Sequence, residues 1–582
     1  MTELKAPWKD HLEDLPFHLE YFNGTMYEFF KDAVEKYPEY IACEFMGTKT
    51  TYEKLLEKVK TCARALRTLG VRRGDRVTIA LPNCPQALAV FYAVNCIGGV
   101  ANVVHPLSAE KELEHYVNVS GSRTVVTLDQ FYGKFAAIRE NTDIVNLIIT
   151  SVKDEMTPVM KTGYSLTEGR KIPKIPKDAP VLYWNEFLQL SKACHWKYEA
   201  ELTSEDTAVI LYSGGTTGTT KGVELSNLNF NAHAAHIVAT NPMFRPGDRM
   251  LAALPIFHGF GLGVCIHSML ANGGCSVLMP RFTADSFSKL MVKRQCNFLA
   301  GVPTLYEAMT RTDVLQKADL SFLKGVYCGG DTLSVELKKK IDTFLYDHSS
   351  PVQIREGYGA TEVVAACCLT PPNKHKSGSI GLPFPDTYFK IVDPETLDEK
   401  PFGEVGEIVI HGPTVMKGYV NNEEETRKTL RIHSDGYTWC HTGDLGMMDN
   451  EGFIFFKGRI KRMLICSGYN IYPAQMEEMF NSSKMVRTSC VIGVPDSYRM
   501  QKIKAFVVLN EGYEPGEESW LKLMAYCKKH VARYSMPYDI EFRKELPVTR
   551  LGKIAYRVLE EEELEKIRLA NEAAENPESS EN

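Results

Sequence analysis

Along the first third of the chain, short apolar runs alternate with longer stretches of helical spacing. Arg76 to Ala80 reads as a strand, Gln86 to Ile97 as a helix, Gly99 to Val104 as a strand, Leu113 to Ser120 as a helix and Thr124 to Leu128 as a strand. Strand and helix taking turns predicts α/β layering around a largely parallel sheet. More units of this kind follow from Leu202 to about Gly458. Near Arg459 the pattern changes to a small α+β unit, with strands expected over Cys490 to Val494 and Lys504 to Leu509 and a helix over Trp520 to Tyr534. The expected division is a large N-terminal α/β domain over 1–458, a small α+β domain over 459–575 and a polar tail over 576–582. The segment Pro158 to Pro180 has weak periodicity. It carries Pro158, Pro173, Pro176 and Pro180 among the basic side chains Lys161, Arg170, Lys171, Lys174 and Lys177, and reads as an exposed loop.

Composition narrows the class. A chain of 582 residues is too long for one ordinary core, which agrees with two domains. The formal charge of −6 gives no basic field, so nucleic acid is not the expected partner. The 15 cysteines contain no CxxC pair and sit in apolar segments, as in Asn95-Cys96-Ile97, so reduced thiols and a cytoplasmic location are expected. Residues 1–14 are charged and lack the apolar core of a signal peptide. No apolar run approaches the ~18 residues of a membrane span, which leaves only peripheral membrane contact open.

The strongest local chemistry is Tyr212-Ser213-Gly214-Gly215-Thr216-Thr217-Gly218-Thr219-Thr220-Lys221-Gly222, after the apolar strand Ala208 to Leu211. Glycines let backbone N–H groups converge, hydroxyls add donors, and Lys221 adds a point charge: an anion cradle. A Walker A loop needs the lysine to run straight into a helix. Here Val223-Glu224-Leu225 continues as a second strand, and the helix begins only after Ser226-Asn227, an N-cap pair.

This loop resembles the phosphate loop of the adenylate-forming superfamily, which includes acyl-CoA synthetases, firefly luciferase and peptide-synthetase adenylation domains. Further motifs follow in the order the resemblance requires. Leu254-Pro255-Ile256-Phe257-His258-Gly259-Phe260-Gly261-Leu262 is similar to the family's aromatic segment, where His258 would close over the substrate carboxylate. Cys328-Gly329-Gly330-Asp331 would flank adenine. In Gly357-Tyr358-Gly359-Ala360-Thr361-Glu362, Tyr358 would stack on adenine, Thr361 would bond the α-phosphate and Glu362 would ligate Mg²⁺. In Thr442-Gly443-Asp444, Asp444 would accept from the ribose hydroxyls, with Arg459 beside it. Lys461 falls at the interdomain hinge, Ser467-Gly468-Tyr469 on the CoA-facing hairpin, and Lys553 in the terminal motif that carries the catalytic lysine. The chain departs from the family pattern at Thr220 (usually proline), at Ile465 (often lysine) and at Met500-Gln501 (often Gly-Glu).

The resemblance implies an ATP-dependent acid:CoA ligase with a mobile C-terminal domain. A carboxylate attacks the α-phosphorus of ATP, and the acyl group then passes from the adenylate to CoA. The acyl pocket is expected around Phe257, Gly259, Gly261, Gly301 and Val363. The glycines are read as leaving room there, and the apolar walls favour a medium- or long-chain fatty acid over a charged substrate. Aryl or alicyclic acids, or loading of a carrier-protein thiol, are the alternatives.

Overall fold

The computed structural model describes residues 4–213, 220–466, 469–496, 500–531, 535–549 and 553–575. The first α/β run lies where the pattern puts it, as strands Arg76–Ala80, Val100–Val103 and Thr124–Leu128 and helices Pro85–Cys96 and Glu110–Ser120. Pro85 takes the first helical position, where a missing N–H leaves no bond unmade. That helix is apolar on every side and buried on every side, as such a composition requires.

These elements build two large sheets. In the eight-stranded sheet the order runs Gly418–Tyr419, Lys221–Ser226, Thr207–Ser213, Val100–Val103, Arg76–Ala80, Thr124–Leu128, Asn146–Thr150, Leu182–Tyr183, parallel from Thr207–Ser213 onward. In the nine-stranded sheet Ile41–Phe45, Cys275–Leu278, Arg249–Ala252, Phe298–Gly301, Gly325–Cys328 and Ile354–Gly359 are parallel, and the edges are antiparallel. One core unites them. Val77 and Leu211 come from the first sheet, Met250 and Phe298 from the second, and Phe91, Phe230 and Ile266 from helices packed against both.

An antiparallel sheet follows, in which Gly406–His411 pairs with Tyr388–Val392 on one side and Thr438–Met448 on the other, and Ile454–Arg459 pairs with the latter. Beyond Arg459 the chain forms a further sheet, with Met500–Leu509 between Val486–Asp496 and Asp539–Phe542. Its core is its own: Leu464, Phe480, Val491, Ala505, Leu523 and Ile540. The helix expected from Trp520 runs Glu517–His530, and Tyr534 lies outside the described residues.

One local expectation is corrected. The segment from Pro158 opens with a helix, Pro158–Leu166, and not a loop. The Thr157 hydroxyl accepts from the Met160 N–H to cap it, and Pro158 fills its first position. None of its residues is buried. The apolar segment after Gly259 is wound as a π-helix, Phe260–His267, a rare winding that gathers at functional sites.

Candidate active site

Parallel strands present their ligands beyond their C-terminal ends. In register, Gly301 lies beside Cys328 and Cys328 beside Glu356, so the segments after Gly301, Cys328 and Gly357 share one rim. The backbones there are too close for side chains. A Cβ on Gly359 would stand 1.4 Å from the Ala365 carbonyl oxygen, and one on Gly329 would stand 3.0 Å from that of Gly357. Lys553 reaches this rim from the far end of the chain, its Cε 3.8 Å from the Cβ position of Gly330. Burial pushes the Lys553 ammonium below the ordinary lysine range, against the pull of Asp331.

The strand Thr438–Met448 breaks register against Gly406–His411. Glu407 faces Leu445 and Val409 faces His441, so Thr442, Gly443 and Asp444 all bulge opposite Ile408. Gly443 sits at φ +69°, which favours glycine. The bulge buries Asp444 and aims it at two partners. The Tyr358 hydroxyl donates to Oδ2 at 2.7 Å, and Arg459 Nε stands 3.2 Å from Oδ1. Burial pushes the Asp444 carboxyl up and Arg459 pulls it back. Oδ1 accepts no hydrogen bond among the described residues, which suits an acceptor for a ribose hydroxyl.

At the phosphate corner, Gly214, Gly215, Thr216, Thr217, Gly218 and Thr219 lie outside the described residues, and Ser213 and Lys221 frame them as a register pair on adjacent strands. Lys221 Nζ is paired with Glu425 and lies 4.8 Å over the Tyr419 ring. The Tyr419 hydroxyl donates to Glu362 Oε1 at 2.9 Å. The hydrogen bonds from Lys221 and Lys428 hold the Glu425 carboxyl down at about 2. Tyr419 and Glu425 escaped the sequence reading. Tyr419 sits on a two-residue strand with no periodicity, and Glu425 belongs to an acidic run that reads as a solvated helix start.

His258 precedes the π-helix Phe260–His267, on the segment expected at the acyl side. Its Nδ1 accepts the Phe260 N–H at 3.2 Å, so the neutral ring carries its proton on Nε2 and offers a donor. Burial, and then the Lys553 charge, lower its pKa to about 4. The room expected beside the glycines is absent. A Cβ on Gly259 would meet the Val364 oxygen at 1.6 Å, one on Gly261 the Pro255 oxygen at 2.1 Å, and one on Gly301 the Leu305 side chain at 3.1 Å. These glycines admit neighbouring backbone or packed side chains, not an open space. Val363 is fully buried, and Val364 next to it holds φ +70° and ψ −65°, with the Ala365 N–H bonded back to the Val363 oxygen at 2.9 Å. That is a strained γ-turn for a β-branched residue. Phe257 stacks on His105 at 4.2 Å.

Lys461 is exposed on the turn Ile460–Arg462, directly after Arg459. Ser467 and Gly468 lie outside the described residues. The hairpin around them is present, with Tyr469 in register with Cys466. All fifteen cysteines are free and buried, and burial raises thiols such as Cys328 and Cys440, which makes those two poor nucleophiles. Among the described residues no cluster of three His, Cys, Asp or Glu could hold a metal, and no helix is long and apolar enough to cross a membrane.

The profile of the family described as AMP-binding enzyme matches residues 30–420, and that of the AMP-binding enzyme C-terminal domain matches residues 475–553. A long-chain-fatty-acid–CoA ligase of Bacillus subtilis is 35% identical, covering 96% of this chain and 99% of its own. A probable 4-coumarate–CoA ligase 2 of Dictyostelium discoideum is 30% identical over 87% and 89%. Among solved structures, ATP-bound MatB from Rhodopseudomonas palustris superposes with a TM-score of 0.80 at 25% identity, covering 93% of this chain and 99% of that one. The chain therefore belongs to the AMP-binding enzyme family, within the adenylate-forming superfamily, as an AMP-forming acyl-CoA synthetase that uses ATP and CoA.

Proposed function

We propose that the acid is a medium- or long-chain fatty acid. Its carboxylate and ATP give acyl-adenylate and pyrophosphate, and transfer of the acyl group to CoA then releases AMP. The observation that carries this reading is the end-to-end similarity to a long-chain-fatty-acid–CoA ligase. The apolar π-helix beside His258 supports it, as does the lack of a carboxylate in Phe257-His258-Gly259 that would pair an amino-acid substrate. The 4-coumarate–CoA ligase relative favours aryl acids as the second reading.

Adenylation needs a charged transition state to be positioned and neutralised. Asp444 and Arg459 hold the ribose, and Tyr358 orients Asp444. Residues from Ser213 to Lys221 take the phosphates and Thr361 the α-phosphate. His258 donates through Nε2 to the acyl carboxylate. Lys553 brings its ammonium to the carboxylate and α-phosphate oxygens. Glu362, whose Oε1 accepts from the Tyr419 hydroxyl beneath Lys221, is a hard oxygen donor that would hold Mg²⁺ together with the nucleotide. When bound, the ion supplies positive charge against the triphosphate. Lys553 must withdraw before the thiol attacks. Rotation about Lys461 moves the residues beyond it, to 575, as a body, leaves Arg459 with Asp444, and replaces Lys553 with the hairpin carrying Ser467, Gly468 and Tyr469.

The test is ATP-dependent pyrophosphate release across a panel of fatty, aryl and alicyclic acids, with and without CoA. Fatty acids should give the highest kcat/KM, and acyl-CoA and AMP should form together. A preference for aryl acids would replace the fatty-acid reading. Pyrophosphate without acyl-CoA would move the thiol acceptor to a carrier protein.

A further inference from the structure

Behind Asp444 lies a buried carboxylate that the reaction itself does not use. Glu407 is 5% exposed, and a carboxylate so placed must be fully partnered. One oxygen finds its partner in the bulge it faces and the other at the residue just before it. Oε1 accepts the Gly443 N–H at 2.9 Å, and Oε2 is 2.8 Å from His441 Nδ1. The carboxylate thus grips the bulge on both sides of Thr442. Two further bonds complete the shape. The Thr442 hydroxyl donates to the Ile408 oxygen at 2.7 Å, and the Asp444 N–H donates to that same hydroxyl at 3.1 Å.

His441 is fixed in turn from its far side. Its Nε2 is 3.0 Å from Nε2 of His433, a residue 8% exposed. An ionised Glu407 requires the His441 proton on Nδ1, so the bond between the two Nε2 atoms carries one shared proton. The result is a chain of three side chains, Glu407–His441–His433, that ends on the backbone immediately before Asp444.

We propose that Glu407 and His441 are positioning residues for the nucleotide. Their bonds set the three-residue bulge, and the bulge sets where Asp444 meets the ribose. The chemistry recognised is a ribose with free hydroxyls. Toward Gly406–His411 a bulge of three residues around a φ-positive glycine has no regular ladder bonds to define it, while on its other side Asp444 stays in register with Arg459. Side-chain bonds from the facing strand supply that definition. His433 contributes less, since it acts only by holding His441. The inference rests on the reading of Asp444 as the ribose acceptor.

The experiment compares ATP with 3′-deoxy-ATP in fatty-acid-dependent pyrophosphate release, for the wild type and for Glu407→Gln, His441→Gln, His433→Gln and Asp444→Ala, with thermal unfolding of each. Glu407→Gln keeps shape and volume but cannot serve both partners as a charged acceptor. The preference for ATP should shrink by about ten-fold in Glu407→Gln, by less in His441→Gln and least in His433→Gln, since a charge-assisted bond outweighs a neutral one. The loss should appear in KM for ATP more than in kcat. Equal loss with both nucleotides, or an unchanged preference in a folded variant, overturns the proposal by making the chain merely structural. If Glu407→Gln does not fold, His441→Gln decides alone by the same ratio. If Asp444→Ala keeps the full preference, the ribose reading has failed and the proposal falls with it, a result distinguishable from failure of the Glu407 variant alone.

Discussion

The corners proposed for the nucleoside and for the phosphates are built on different principles. At the nucleoside corner two carboxylates, Asp444 and Glu407, are almost fully buried, and each is held by two partners. Asp444 is held by Tyr358 and Arg459, and Glu407 by His441 and Gly443. At the phosphate corner the key cation, Lys221, is paired to one carboxylate, Glu425, which is itself 30% exposed and shared with Lys428. The nucleoside does not change during the reaction, so a rigid site serves it throughout. The triphosphate arrives highly charged, is cleaved and leaves, so the groups around it must exchange partners. Buried networks hold geometry at high cost to rearrange, whereas a partly solvated ion pair is worth little and re-forms easily.

Lys553 stands at the rim beside Gly330, within reach of the Asp331 and Asp444 charges, and removing it should have the largest effect. Lys553→Ala is expected to lower the adenylation rate by about 10²–10³-fold, the scale for one preorganised charge at a reacting centre. Transfer from preformed acyl-adenylate to CoA should be spared, and single-turnover assays of the two halves separate these outcomes. Equal loss in both halves would remove Lys553 from its proposed place.

A pH profile sharpens the same point. Burial lowers the Lys553 pKa, so the charge that adenylation needs is present below that folded value and is lost as pH rises through it, earlier than for an ordinary lysine. Lys553→Arg keeps its charge across this range, so whatever activity it retains should lose the alkaline decline. A wild-type decline that survives in Lys553→Arg belongs to another group.

The smallest effect tests the exchangeable corner. Glu425 competes with the nucleotide for Lys221, so Glu425→Gln should lower KM for ATP by about two- to five-fold, the worth of a part-exposed ion pair. With its carboxyl held at about 2, Glu425 remains charged above the ordinary carboxylate range and loses its charge only as pH falls through that value. The ratio of variant to wild-type KM should therefore be flat between about pH 6 and 8. A rise in KM would mean that Glu425 orients Lys221 for the phosphate and does not compete with it.

Much of this was legible in the linear pattern because it is local. Strands Arg76–Ala80 and Thr124–Leu128 carry short apolar runs, Ser226 is an N-cap by composition and geometry alike, and Asp444 sits in a short motif whose residues act together. What escaped was long-range or unpacked. The helix Pro158–Leu166 buries none of its residues, and the prolines and basic side chains that follow it read as a loop. Tyr419 reaches Glu362 across 57 positions. Glu407 meets His441 only because two strands lose register between them. The glycines near His258 misled for a related reason. A missing side chain signals that something comes close, but only the fold tells whether it is a ligand or, as at Gly259, the carbonyl of Val364.

The sequence by itself determined the family, the α/β layering and the identity of most groups expected to touch ATP, because those depend on residue type and spacing along the chain. The tertiary structure decided how they are held: which carboxylates are buried and clamped, which lysine is shared, and where backbone fills a gap. Those outcomes follow from which distant segments meet, and the free energy of a buried or paired charge depends on its whole surroundings, which no local stretch of sequence contains.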